Sequence, residues 1–287
     1  MKKIVIIISI ICIGLVGFAI GELRHFDNNK ESHSEINTPD ESDTSIIVDD
    51  DTINLNNYDT DIVLSQAKEY TISGNLNHAI FIKTDTNEDS PVTLLLNSVN
   101  INSAKSAIVS ETNNLILKTT KKSKNNITSY GDDAITIKTS GLLTIDGEGE
   151  MTVWNQNPNT TGGPAIYAKN LLINNGELIA IGGSGERGSG ISTEEKYTIV
   201  GGDVTISGMD MLEPPAPESS TKSAIFSLDQ TYDAGSVVKI TNSRGTTVGY
   251  YVARNNFRTA VFSNYLIKPG FYTLYINDES IKTVEVK

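Results

Sequence analysis

Three sets of side chains in this sequence have the types and spacing to do chemistry. Asp132 and Asp133 stand side by side, and Asp146 follows after a short apolar run. Carboxylates converging from neighbouring turns supply the oxygens that a hard cation takes in place of water. Lys138, Lys169 and Lys196 recur at related offsets in successive segments. A lysine beside a cation-bound carboxylate is what abstraction of a proton next to a uronate carboxyl group requires. Left ordinary, the same lysines are solvated charges that discourage edge pairing and attract acidic polymers. The third set is aromatic: Trp154, the only tryptophan, sits beside the polar stretch NQNPNTTGGP, and Tyr130, Tyr167 and Tyr197 fall near corners or on strands of successive segments. Flat rings take the apolar face of a sugar while amides and carboxylates take its hydroxyls. Outside on one face, these residues form a carbohydrate-binding surface; inside, they fill a core.

Such groups need a frame, and the frame repeats. Ala79-Ile80, Ala107-Ile108, Ala134-Ile135, Ala165-Ile166 and Gly190-Ile191 recur at intervals of 28, 27, 31 and 25 residues. From Ala107 onward each step is followed by an alternating apolar run: Leu115-Ile116-Leu117, Leu142 to Ile145, Leu171-Leu172-Ile173 and Tyr197-Thr198-Ile199. A Gly or Asn turn and a third short run follow: Met151-Thr152-Val153, Leu178 to Ile181, and Val204-Thr205-Ile206. Asn102, Asn113, Asn114, Asn125, Asn126, Asn170, Asn174 and Asn175 fit turns in which side-chain amides satisfy the backbone. Several short strands per repeat with no helical period between them specify a solenoid, all-β, with about 25–31 residues per coil and inward ladders of Ile, Leu and Val. It spans residues 53–208. A Pro-rich linker at 209–223 leads to 224–287, whose alternating runs predict a small antiparallel β unit capping the solenoid.

The N-terminus predicts export. Lys2 and Lys3 precede the apolar run Ile4 to Gly21, so residues 1–21 read as a signal peptide or a membrane anchor. Residues 22–52 are acidic and poor in large apolar groups, which makes them a solvated spacer. The net charge is −12, and loss of the two leader lysines brings it to −14. That balance argues against nucleic acid and against anionic membrane surfaces, leaving the N-terminal segment as the one membrane contact. Cys12 is the only cysteine, and His25, His33 and His78 are too scattered for a triad or a zinc site.

The runs DDAITIKTSGLLTIDGEGEMTV (132–153), GPAIYAKNLLINNGELIAI (163–181) and GSGISTEEKYTIVGGDVTI (188–206) resemble the secreted carbohydrate-binding β-helix domains of clostridia and other Firmicutes. Tyr70 to Leu76 and Gly270 to Leu274 resemble that family's first coil and last hairpin, so the likeness covers most of Tyr70 to Lys287. It implies a right-handed parallel β-helix, polysaccharide binding, bound calcium and a distant relation to pectate lyases. The expectation is therefore an extracellular, non-catalytic protein that binds cell-wall or plant-type polysaccharide, acidic or neutral, through Trp154, Tyr167, Tyr197, Tyr130, Lys138 and Lys169. Asp132, Asp133 and Asp146 are the expected calcium ligands, with an ordinary solvated turn as the other reading at each position. Two alternatives stay open: a calcium-dependent polysaccharide lyase of pectate type, and a structural surface protein or adhesin whose solenoid is a stalk.

Overall fold

The computed structural model describes residues 45–84, 90–131, 135–210 and 213–287. It is a parallel β-solenoid of about five turns followed by a separate four-stranded antiparallel sheet. Each coil presents three strand positions, which run together in Val92–Ser103, Ile166–Ile173 and Ile191–Ile199, and successive coils stack in parallel register. At the first strand position Ile62, Ile80, Ile108, Ile137, Ile166 and Ile191 pair in sequence, and every one is buried. At the second, Val92, Leu115, Leu143, Leu171 and Tyr197 form one inward ladder, and Leu94, Leu117, Ile145, Ile173 and Ile199 form another. At the third, Ile101, Ile127, Val153, Ala180 and Ile206 do the same. The core is thus one continuous column, because a residue and its partner a coil away share a position and an orientation.

The small residue before each inward Ile sits where the chain turns into the first strand, and its carbonyl accepts from the Ile of the preceding coil. Ile62 N–H donates to Ala79 O, Ile80 to Ala107 O, Ile137 to Ala165 O and Ile166 to Gly190 O. One repeat differs from the sequence expectation. Ile137, not Ile135, pairs with both Ile108 and Ile166, so the step in that coil is Thr136-Ile137. The intervals between inward Ile residues become 28, 29, 29 and 25. Thr136 is fully buried, and its hydroxyl bonds the Ser129 hydroxyl at 2.7 Å; that partner lets a polar residue stand where alanine was expected. Ala134 lies outside the described residues.

Turns follow the Gly and Asn positions. Gly147 has φ +115°, and a Cβ there would meet Thr119 O at 2.2 Å, so only glycine fits between these stacked corners.

Ser45–Ile47, placed by composition in the acidic spacer, already pairs in parallel with Asp61–Leu64. Residues 1–21 and most of the spacer lie outside the described residues. At the other end, Phe257–Ser263 pairs antiparallel with Asp203–Gly208, the third strand of the last coil, and with Ser223–Tyr232. The connecting segment runs beside the last second strand, with Ala216 N–H on Tyr197 O and Thr221 N–H on Ile199 O. The final coil therefore has no bare edge at these strands. The four-stranded sheet is ordered Thr247–Val252, Val237–Asn242, Gly270–Ile276, Glu279–Val286, and packs a second core around Phe226, Val238, Tyr251, Phe257, Phe262 and Leu274.

Candidate functional site

Alternation along a strand means that the residue after each inward Ile points outward. On the first-strand face these residues are Val63, Phe81, Val109, Lys138 and Tyr167, in unbroken register from coil to coil. The next position, Ser192, is buried and ends the row. At roughly 4.8 Å per coil, Phe81 and Tyr167 stand about 14 Å apart. Beside this row, Lys83 pairs with Glu111 at 3.7 Å and carries its ammonium 5.6 Å from the centre of the Phe81 ring. Tyr167 Oη donates to Glu194 Oε1 at 2.8 Å. That bond, followed by burial and the carboxylate charge, raises the phenol pKa and holds the ring in place. Lys138 is exposed, and among the described residues no carboxylate pairs with it. The face is thus an apolar and aromatic strip with one cation, between Val109 and Tyr167, that has no carboxylate partner among the described residues.

Of the residues singled out from sequence, Lys138 and Tyr167 are brought together as direct register partners. Lys169 lies two residues further along, at the irregularity between Ala168 and Asn170, and pairs with Glu195 at 3.5 Å. Lys196 is opposite Asn170 and pairs with Glu218. The three lysines do not form a ladder.

Tyr197 is a correction. It occupies the inward position opposite Leu171, is 1 % exposed, and cannot meet a ligand. Burial pushes its phenol pKa far up, so it stays protonated. Tyr130 is exposed but follows the third strand Lys124–Ser129, with its N–H on Ser103 O, and so sits at a corner off the first-strand face. Trp154 lies on the outer face of the third strand, half-buried. Its Nε1 donates to Asn255 Oδ1 at 3.1 Å, and the Arg254 guanidinium stands 5.2 Å from its ring centre.

Asp132 and Asp133 lie outside the described residues. Asp146 is on the outer face of the second strand, between Lys118 of one neighbouring coil and Asn174 of the other, and its Oδ1 accepts from Asn174 Nδ2 at 3.2 Å. Among the described residues no three His, Cys, Asp or Glu side chains gather to hold a metal. A single carboxylate already bonded to an amide and flanked by a lysine does not fit calcium, which takes six to eight oxygens.

Sequence reasoning missed the outward row itself, Phe81 above all. It also missed an acidic cleft of about 600 Å³ at the corner between second and third strands, lined by Glu148, Glu177, Asp203 and Tyr265. Glu150, Glu177 and Asp203 stack in register there. Lys124 pairs with Glu150 at 2.9 Å and Lys121 with Glu148 at 3.0 Å. Burial raises the Glu177 pKa, helped by repulsion from Glu150 and Asp203; burial also raises that of Asp203, opposed by the Asn264 amide. The signal was present, since Glu150, Glu177 and Asp203 each open a third strand.

A family model described as carbohydrate-binding domain-containing protein matches residues 58–247. The match takes in the stacked coils from Tyr58 onward and stops where the four-stranded sheet is half made. No curated protein and no solved structure matches the chain.

Proposed function

The chain belongs to the carbohydrate-binding domain-containing family, and on that premise we propose that it is an exported, non-catalytic polysaccharide-binding protein whose first-strand face is the binding surface. One observation carries the placement: Phe81, Val109, Lys138 and Tyr167 form a continuous outward row in which two rings flank an ammonium that no carboxylate pairs among the described residues. Rings take the apolar faces of successive sugars, while Lys138 meets a carboxylate on the polymer. The ligand class that suits this strip is an extended acidic polysaccharide. Export rests on Lys2, Lys3 and the apolar run to Gly21, and holds the solenoid outside the cell. A calcium ion at Asp132 and Asp133 belongs to the same proposal; calcium titration of the purified domain is its test, with a rise in melting temperature expected.

Pull-down on insoluble polysaccharides, with glycan arrays spanning acidic and neutral polymers, tests the reading. Retention on acidic polymers that is lost at high salt is expected. Failure to bind any glycan by a folded sample would sink it. Incubation with polygalacturonate while following absorbance of unsaturated uronide separates binding from lyase chemistry; the proposal expects no product. A stalk-like adhesin would keep its cell binding in Tyr167→Ala, whereas a glycan face loses affinity.

A further inference from the structure

The outer face of the third strand is built differently from the first. Asn75, Asn100, Asn126 and Thr152 stand in register in one row, and Asn102, Thr128 and Trp154 in the row beside it. None of these side chains is ionisable, in a chain where 20 % of residues are charged. The amides are ordered along the axis: Asn75 Nδ2 donates to Asn56 Oδ1 at 2.9 Å, and Asn100 Nδ2 to Asn75 Oδ1 at 3.2 Å. Each such bond uses one of the two amide hydrogens and leaves the other free for solvent or ligand. At the Asn75–Asn100 end the hydroxyl-binding groups are therefore held in fixed places.

This strip has a closed end. One coil beyond Trp154 the row continues with Ile181 and Ser207, which are outward by register yet only 2 % exposed. The C-terminal unit covers them, with Tyr251 Oη on Ser207 Oγ at 2.8 Å. Trp154 stands at that boundary. Asn255 fixes the indole through Nε1, and its own Nδ2 is held by Asn155 O and Gly182 O at 2.7 and 2.6 Å. Arg254 covers the ring from the C-terminal unit. Both Arg254 and Asn255 lie beyond the matched span 58–247.

We propose that this face is a second glycan-binding strip, separate from the lysine-bearing first face, that takes a neutral, hydroxyl-rich polysaccharide along the solenoid axis with the chain end stopped against Trp154 and Arg254. The charge of the rows assigns the ligands: the third strand opens on a charged row in which Lys124 is already paired with Glu150 at 2.9 Å, while the amide and hydroxyl rows beyond it carry no charge and give an acidic polymer nothing to offset its desolvation, whereas neutral hydroxyls find donors and acceptors there. The inference rests on the carbohydrate-binding reading and adds a site and a ligand class to it.

Because Trp154 is the sole tryptophan, its emission reports on this strip alone. Intact protein is titrated with neutral hexasaccharides (cellohexaose, xylohexaose, mannohexaose) and with polygalacturonate, following fluorescence and heat together. At least one neutral hexasaccharide is expected to shift the Trp154 emission, and Asn100→Ala and Thr128→Arg to weaken that binding about tenfold or more. Polygalacturonate is expected to give heat without an emission change. Heat from a neutral hexasaccharide with unchanged Trp154 emission, or equal affinity in both folded variants, overturns the second strip and leaves the first face standing. Absence of heat with every glycan overturns both. Trp154→Phe checks that the emission arises from this ring.

Discussion

Tyr167 and Tyr197 show how much one position along a strand decides. Tyr167 follows an inward Ile and stands outside, bonded to Glu194; Tyr197 continues the ladder Leu115, Leu143, Leu171 and lies in the core. Replacement by alanine separates the two roles. Tyr197→Ala removes a buried aromatic side chain and is expected to cost about 3–5 kcal/mol of stability, seen as a lowered denaturant midpoint. Tyr167→Ala is expected to leave that midpoint almost unchanged. Equal losses in the two variants would show that the inward and outward assignments are wrong. The placement of Tyr197 was legible in principle, because Tyr197-Thr198-Ile199 aligns with Leu171-Leu172-Ile173, and a residue at a Leu position faces the core. Trp154 was not. Its neighbours Asn155 and Gln156 look like the start of a solvated loop, but Asn155 is buried, and the partner that fixes the indole comes from Asn255, about a hundred residues away. Asparagine misled in a similar way. Asn102 and Asn126 lie within strands on the outer face, and Asn125 is buried inside, accepting from Val99 N–H and donating to Glu150 O.

At the scale of elements, the repeat could be read because each coil spends its inward positions on Ile, Leu and Val at near-constant spacing. The register slip at Thr136 escaped because Ala134-Ile135 imitates the step two residues early, and only pairing with both neighbouring coils decides between them. The joint between solenoid and C-terminal unit had no sequence signature at all. Asn255 bridges Trp154 and two buried carbonyls, Asn155 O and Gly182 O, and the excursions that follow them are tied to each other through Gly183 N–H on Gly163 O and Ser184 N–H on Asn157 O. Asn255→Ala leaves those groups without their partner and is expected to cost about 2–4 kcal/mol, with a red shift of Trp154 emission as water reaches the indole. Asn255→Asp keeps the acceptor for Trp154 but sets a buried carboxylate against the two carbonyl oxygens, so the expected order of stability at pH 7 is parent, then Ala, then Asp. A parent-like melting curve for Asn255→Ala would remove the joint from the account.

The whole molecule carries its acidity unevenly, and pH should expose that. Burial raises the folded-state pKa values of Glu177 and Asp203 above their ordinary values. A carboxylate raised in this way favours the fold at low pH, and that contribution is lost as pH rises through the folded pKa. Glu195 and Glu218 are lowered by bonds to Asn170 and Lys196 and act in the opposite sense, so a single variant isolates the first effect. Glu177→Gln is expected to melt higher than the parent at pH 7, with the gap narrowing towards pH 4; a gap that widens on acidification contradicts the assignment. The solenoid otherwise serves as a rigid ruler, turning one outward residue per coil into a straight row that no local motif announces. The claim that this row binds polysaccharide is tested most directly by calorimetric titration of polygalacturonate into the intact protein and its Lys138→Ala/Tyr167→Ala variant. The account predicts binding by the parent and a loss of about tenfold or more in the folded double variant; unchanged affinity in that variant would contradict it.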